Sequence, residues 1–142
     1  MNGQPRRFGQ SGFSLLEVLI TLLIVAIGLM GFAAMMLNSM KNNRTSMQRS
    51  MATSYAYDII DCMRANRSAA LDYDVEFGSA LSGSSVAAAD VTAWKTELAT
   101  LLPAGDGRID VNGNTVLVEI QWTETVNAGD DATHTWKTET TL

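Results

Sequence analysis

The sequence has few of the residues from which catalytic or metal sites are usually built. It contains one cysteine, Cys62, so no disulfide can form within the chain, and one histidine, His134. Without a second histidine or a cluster of cysteines, a zinc site is unsupported. No nucleophile–base constellation and no glycine-rich phosphate loop is present. We therefore expect no catalytic residue, no metal and no cofactor, and we predict that the protein is not an enzyme.

Basic residues are also scarce, since 10 Lys and Arg stand against 15 Asp and Glu, giving a formal charge of -5. Nucleic-acid binding depends on a basic surface. We therefore expect no nucleic-acid partner. The length of 142 residues is enough for one small domain.

Proline is absent between Pro5 and Pro103, and this stretch contains a 25-residue apolar run at positions 13–37. As an α-helix the run would span about 37 Å, more than the hydrocarbon core of about 30 Å. A cleaved signal peptide has a shorter apolar region that ends at small residues, and neither feature fits. We predict one continuous helix from about Ser14 to about Ser68, whose first half crosses the membrane.

One carboxylate, Glu17, lies near the start of the apolar run, where an ionised group costs at least about 2.5 kcal/mol. Glu17 could reach the membrane interface or be stabilised by the helix dipole. It could also pair with a new amine, if the chain were cut between Gly12 and Phe13. Such pairing between two copies of the helix would drive ordered self-association.

The glycines Gly28 and Gly31 interrupt the same run. They allow close packing of helices in lipid, or they form a weak point that melts during assembly, and the sequence leaves both interpretations open.

The second half of the predicted helix is amphipathic. Its apolar residues recur at helical spacing, with polar residues between them: Met36, Met40, Met47, Met51, Tyr55, Ile59 and Met63. Methionine fills irregular gaps in protein cores. We therefore interpret the stripe as core packing rather than as a copper site.

The remaining residues predict a small head. Residues 68–90 are typical of a loop, and Ala87–Leu102 predicts a short helix with Asp90 as its N-cap. The apolar period then changes to two around a hairpin signal at Asn112-Gly113. One face of the next strand carries Val116, Val118, Ile120 and Trp122, and a last strand is predicted from His134 to Leu142. We predict an α+β fold in which an antiparallel sheet covers the amphipathic helix.

The polar residues of the head have ordinary structural interpretations. We expect His134 to face solvent, Asp130-Asp131 to form a solvated loop tip rather than a calcium site, and Cys62 to be a small buried residue. Asp58 and Asp61 can reach Arg64 and Arg67 along the helix surface.

The N-terminal features together resemble those of type IV prepilins. They are a short leader with Arg6 and Arg7, then Gly12, Phe13, Glu17 at the fifth position after the cut, and the apolar run. The resemblance implies that a prepilin peptidase cuts after Gly12 and methylates the amine of Phe13. It implies a leader at 1–12, a transmembrane half-helix at 13–37, an amphipathic half at 38–68 and a globular head at 69–142.

The resemblance also implies location and partners. The chain would be a single-pass inner-membrane protein with its head in the periplasm, and would later enter the pilus at the cell surface. Its partners would be the peptidase, other major and minor pilins and the inner membrane, with a tip adhesin as a further candidate. Many major pilins close a C-terminal loop with a disulfide, which this chain cannot form.

The segment Asp58–Arg67 is similar to the end of the long helix in PilV-type minor pilins. This similarity favours a minor pilin needed for assembly or initiation of a type IV pilus. A type II secretion pseudopilin is the alternative, since it shares the leader and Glu17. A single-pass membrane protein whose head binds a ligand is a second alternative, which would require a convergent polar site in the head.

Overall fold

The computed structural model describes residues 12–127 and 130–142. The described chain is α+β, as predicted. Its elements are, in order, α1 (Leu15–Ala65), a 3-10 helix (Arg67–Tyr73), α2 (Val86–Leu101), β1 (Asp106–Asn112), β2 (Thr115–Asn127) and β3 (Asp130–Thr141). The chain divides into two compact units, one ending at Asn42 and the other formed by Asn43–Leu142, and α1 contributes to both.

In the first unit, α1 begins at Leu15 and its apolar side chains are all exposed. Ser14 supports the first turn, because its hydroxyl oxygen accepts a hydrogen bond from the amide of Leu16 at 3.3 Å. A methyl group added at Gly28 or Gly31 would meet no atom within 4 Å. This helix is long and apolar enough to cross a membrane. Its surface therefore needs lipid or another protein to cover it.

In the second unit, α1 contributes a buried face to the head. The face contains one polar residue, Gln48, and five apolar ones: Ala52, Ala56, Ile59, Ile60 and Met63. The prediction for the methionine stripe is therefore only partly correct. Ile59 and Met63 are buried, Met51 and Tyr55 are half-buried against the core, and Met47 is 58% exposed. The small side chains of Ala52 and Ala56, both fully buried, occupy the centre of this face instead of methionines.

The three strands form one antiparallel sheet in the order β1-β2-β3. The hairpin lies where the sequence predicts it, with Asn112 opposite Thr115 and Gly113 at a φ of 61°. This left-handed conformation is readily adopted by glycine. The inward row of β2 is buried as predicted: Val116, Val118, Ile120 and Trp122.

The last strand is longer than predicted, because β3 begins at Asp130 rather than at His134. β2 is also extended, to Asn127, so that Thr133 and Ala132 pair with Thr123 and Glu124. Threonine-rich strands of this kind favour the extended backbone. The threonine-rich sequence therefore continues the sheet over residues that the sequence pattern assigned to a loop.

Helix α2 begins at Val86, and its N-cap is Ser85, whose hydroxyl accepts the amide of Ala88 at 3.1 Å. The prediction of Asp90 as N-cap is thus wrong by five residues. The reason is that Ser85 precedes the first turn and accepts a hydrogen bond from one of its backbone amides, which have no partner within the helix. Helical spacing predicts that Val91, Trp94, Leu98 and Leu101 share an inward face. The first three are buried, whereas Leu101, at the end of the helix, is 41% exposed.

The segment that precedes α2 is more ordered than a simple loop. It contains the 3-10 helix, and Val75 pairs with Ile109 of β1 through two backbone hydrogen bonds of 2.9 Å. This bridge covers part of the free edge of β1, which would otherwise expose unpaired backbone groups.

Trp94 joins three elements of the head. Its indole Nε1 donates to the carbonyl oxygen of Tyr55 in α1 at 2.9 Å. The outer edge of its ring lies directly against Gly107 of β1, where a Cβ atom would collide with it. A glycine is therefore required at position 107 for α2 to pack this closely on the sheet.

Candidate functional site

The residues around the predicted cleavage point precede α1. Gly12, Phe13 and Ser14 lie outside regular secondary structure, and the Phe13 side chain is 84% exposed. The Gly12–Phe13 bond is therefore not held in a helical turn. Its position leaves the bond open to an external peptidase.

Glu17 lies in the first turn of α1 and is exposed. Its backbone carbonyl accepts the hydroxyl of Thr21 at 2.6 Å. Its carboxylate makes no hydrogen bond or ion pair with any residue in the described ranges. A carboxylate in the first turn is favoured by the helix dipole, whereas a free amine placed at the same end would be disfavoured. A cut at Gly12 would therefore create a cation that gains from a nearby carboxylate.

The part of α1 that follows Glu17 is almost entirely apolar. From Val18 to Leu37 it contains one hydroxyl, Thr21, and no ionisable group. Lipid tails are as apolar as these side chains, so the apolar surface alone does not fix how two such helices orient. Their orientation depends on packing at small residues and on polar contacts. The chemical capacity of this segment is thus anchoring, combined with one carboxylate that can specify a partner.

A polar cluster in the head surrounds Glu124, a carboxylate buried on the inward face of the sheet. One oxygen accepts the indole Nε1 of Trp122 at 3.2 Å and lies 3.9 Å from Nε of Arg49. The other lies 3.2 Å from Nε2 of His134, whose ring stacks on Trp122 with centroids 6.2 Å apart. Carboxylate, arginine and histidine together link α1 to β2 and β3.

The prediction for His134 is therefore wrong, since its side chain is half-buried and paired rather than facing solvent. The cluster itself escaped prediction. The sequence did contain one signal. Glu124 follows Trp122 by two residues, so it falls on the same inward face of β2 as the buried apolar row.

The outward face of the sheet carries a second cluster around Arg108. Its guanidinium contacts Glu76 and Glu119, each at 2.8 Å, and Asp110 at 3.0 Å. Hydrogen bonds to Glu119 and then Glu76 raise the pKa of Arg108. The guanidinium attracts all three carboxylates, and its pair with Glu76 connects the segment before α2 to β1, so the cluster has a structural role.

Tyr73 connects the 3-10 helix to α2. Its buried hydroxyl donates to Oδ2 of Asp90 at 2.6 Å and accepts from Nδ2 of Asn66 at 3.5 Å. Burial, followed by the hydrogen bond to Asp90, raises the pKa of Tyr73 to about 12. The neutral phenol is thus stabilised in the folded head.

The arginines that end α1 bind the far end of the sheet. Arg64 pairs with Asp61 at 2.9 Å, as predicted, and its second nitrogen lies 3.4 Å from the hydroxyl of Thr140. Arg67 instead donates to Oδ1 of Asn114 at 3.0 Å. The end of the long helix is therefore fastened to the β1–β2 hairpin and to β3.

The other singled-out residues form no ligand site. Cys62 is half-buried and packs on the core, and Asp131 is exposed at the start of β3. Within residues 12–127 and 130–142, no three His, Cys, Asp or Glu side chains are grouped so that they could hold a metal ion.

Comparison with known proteins gives one match. Residues 7–33 match the family model of the prokaryotic N-terminal methylation motif. No curated protein and no solved structure gives a significant match to the chain. The matched residues include Gly12, Phe13 and Glu17, so the chain carries a prepilin-like N-terminus of the type found in pilins and pseudopilins. This N-terminus and its single apolar helix fit inner-membrane anchoring, and the prepilin-like family consists of structural subunits rather than enzymes.

Proposed function

We propose that this protein is a minor pilin of a type IV pilus. The observation that carries the proposal is the matched N-terminal motif, followed by a helix whose apolar side chains are exposed from Leu15 to Met40. In this proposal prepilin peptidase cuts after Gly12 and methylates Phe13, and the head lies in the periplasm until assembly. Other major and minor pilins are its partners, and a tip adhesin is a candidate for the head.

Glu17 is the assembly residue in this proposal. A carboxylate in lipid is stabilised by a cation that neutralises it, because unpaired charge is costly in a low dielectric. The cleaved amine of Phe13 on an incoming subunit supplies that cation. Since the two groups lie at fixed places on each helix, their pairing would hold neighbouring subunits at one axial offset.

Assignment to a pilus rather than to a secretion pseudopilus depends on the Asp58–Arg67 segment. In the structure this segment positions Arg64 and Arg67 against Thr140 and Asn114. A subunit that transmits force from its helix to its head benefits from such a fastening at the helix end. The pseudopilin remains the second candidate, because the matched motif is shared by both systems.

The test substitutes Glu17 by alanine in cells that assemble the filament. We expect Glu17→Ala to insert in the membrane, since it makes the run more apolar, and to be cleaved, since Gly12 is intact. It should be missing from sheared filaments and from cross-links to other pilins. Glu17→Asp should be intermediate, because its shorter side chain reaches the amine less well. Thr21→Ala is the matched control, as it removes a polar group one turn later without removing charge.

Incorporation of Glu17→Ala at the wild-type level would contradict the assembly role of the carboxylate. Recovery of the wild-type chain with secretion pseudopilins, and not with sheared pili, would replace the pilus by the secretion system.

A further inference from the structure

The chain has an uneven charge distribution that the pilin proposal leaves unexplained. No acidic residue occurs between Glu17 and Asp58, whereas Lys41, Arg44 and Arg49 lie in that interval. The chain as a whole is acidic, with a formal charge of -5. A basic interval directly after a membrane-length run is the arrangement that attracts anionic lipid.

Lys41 and Arg44 are both exposed, and neither makes a hydrogen bond or ion pair with any of the residues that the structure describes. Arg49, in contrast, lies beside Glu124. Arg44 is therefore available to bind an anion from outside the chain.

Arg44 also lines a groove in the second unit of the chain. The groove has a volume of about 400 Å³, and its walls are α1 and the end of α2 with the loop that follows. Met47 and Leu101 line it with Arg44, and their side chains are 58% and 41% exposed. The groove thus offers one free cation beside flexible apolar side chains, which is the chemistry that recognises an anionic amphiphile.

We infer that this groove binds the headgroup region of an anionic phospholipid. Arg44 follows Leu37, the last residue of the apolar run, by seven residues, which is about 10 Å of helical rise. The headgroup layer beyond the hydrocarbon is about 5–7 Å deep on each side, and an arginine side chain can extend toward it. The phosphate binds Arg44, and the glycerol and upper acyl carbons contact Met47 and Leu101.

A phospholipid is favoured over a protein segment by charge and by position. The groove belongs to the most basic interval of an acidic chain, and that interval begins where the membrane run ends. The inference rests on membrane anchoring of the run but not on filament assembly. Failure of the Glu17 test would therefore leave it standing.

The test uses the full chain in vesicles of phosphatidylcholine, with and without phosphatidylglycerol. A nitroxide is attached through Ala99→Cys, at an exposed groove residue, in a Cys62→Ser background. Collisions with an aqueous nickel chelate are measured by electron paramagnetic resonance. We expect phosphatidylglycerol to reduce these collisions, and added salt to reverse the effect by screening. A second nitroxide at Thr135→Cys, exposed on β3, should not respond.

The decisive variant is Arg44→Gln. We expect it to raise the phosphatidylglycerol fraction needed for half-maximal protection about fivefold, the effect of one basic residue near an anionic surface. Arg44→Lys should retain most of the protection. Arg67→Gln is the matched control, because it removes an exposed arginine whose partner is Asn114, outside the groove, and it should leave the midpoint unchanged.

Three results would overturn the inference. The first is equal accessibility of the groove in both kinds of vesicle. The second is protection that follows the protein-to-lipid ratio and not phosphatidylglycerol, which would mean that a second copy occupies the groove. The third is release of the chain by alkaline carbonate, which would remove the anchoring on which the inference depends.

Discussion

The contact between Trp94 and Gly107 yields a sharp prediction about the head. Substituting Gly107→Ala places a methyl group where the outer edge of the indole lies. The indole cannot move freely, because its Nε1 is bonded to the carbonyl of Tyr55 and its ring is 5% exposed within the core. The methyl group must therefore displace Trp94 or separate α2 from β1.

The expected cost can be assembled from two parts. Overpacking of a dense core costs about 1–3 kcal/mol, and weakening the bond from Trp94 to Tyr55 adds about 0.5–1.5 kcal/mol. We expect Gly107→Ala to lower the free energy of unfolding by about 2–4 kcal/mol. The measurement is urea denaturation of a fragment of residues 43–142, the compact unit that contains the buried core residues.

A double-mutant cycle separates a steric clash from other causes. Trp94→Phe removes the outer ring atoms that the new methyl would meet, so in that background Gly107→Ala should cost less than about 1 kcal/mol. Equal costs in both backgrounds would refute the reasoning, as would a Gly107→Ala protein as stable as the wild type.

Three further predictions concern the same fragment. Ile59→Ala should cost about 2–5 kcal/mol in urea denaturation, whereas Met47→Ala, exposed on the same helix, should change stability by less than about 0.5 kcal/mol; similar costs would contradict the observed buried face. The pKa of Tyr73 is raised from 10.0 to about 12, so its neutral phenol contributes fully to the free energy of unfolding below pH 10. As the pH rises toward 12 this contribution is lost, and the free energy of unfolding should fall by up to about 2–3 kcal/mol. Tyr73→Phe should not show this fall, and a variant with the same dependence of stability on pH as the wild type would refute the prediction. Glu124→Gln should cost about 1 kcal/mol, because a neutral amide attracts the guanidinium of Arg49 less strongly than a carboxylate does; urea denaturation at pH 7 measures it against the wild type, and a more stable variant would contradict the role of the cluster.

Elements with strong periodic signals were predictable from the sequence. The long apolar run and the absence of proline indicated α1, and alternation around Asn112-Gly113 indicated β1 and β2. The inward row of β2 was predicted residue by residue, because a period of two on a half-buried sheet leaves one choice of face.

The contacts that connect these elements were not predictable in the same way. The buried face of α1 is centred on Ala52 and Ala56, and alanines carry little periodic signal beside methionines. The N-cap of α2 was misplaced because Ser85 and Asp90 are both good caps, and only the partner of Asp90, the distant Tyr73, decides between them. Pairing of Glu124 with His134 likewise depends on the register of β2 against β3, which the sequence pattern alone did not contain.

The residues proposed for processing and assembly were predicted from the sequence. Gly12, Phe13 and Glu17 were predicted from spacing and family resemblance, and the structure adds that they lie before and within the first turn of an exposed helix. The groove lined by Arg44 could not be predicted, since residues of α1 and of the end of α2 line it together only after folding.

The central claim is that the chain is a processed prepilin, and the N-terminus of the mature protein tests it most directly. Protein extracted from membranes of the cells that express it should be digested and its N-terminal peptide sequenced by mass spectrometry. The account predicts a peptide that begins at Phe13 and carries one methyl group on its α-amine. An N-terminus at Met1, or one beyond Leu37, would contradict the account.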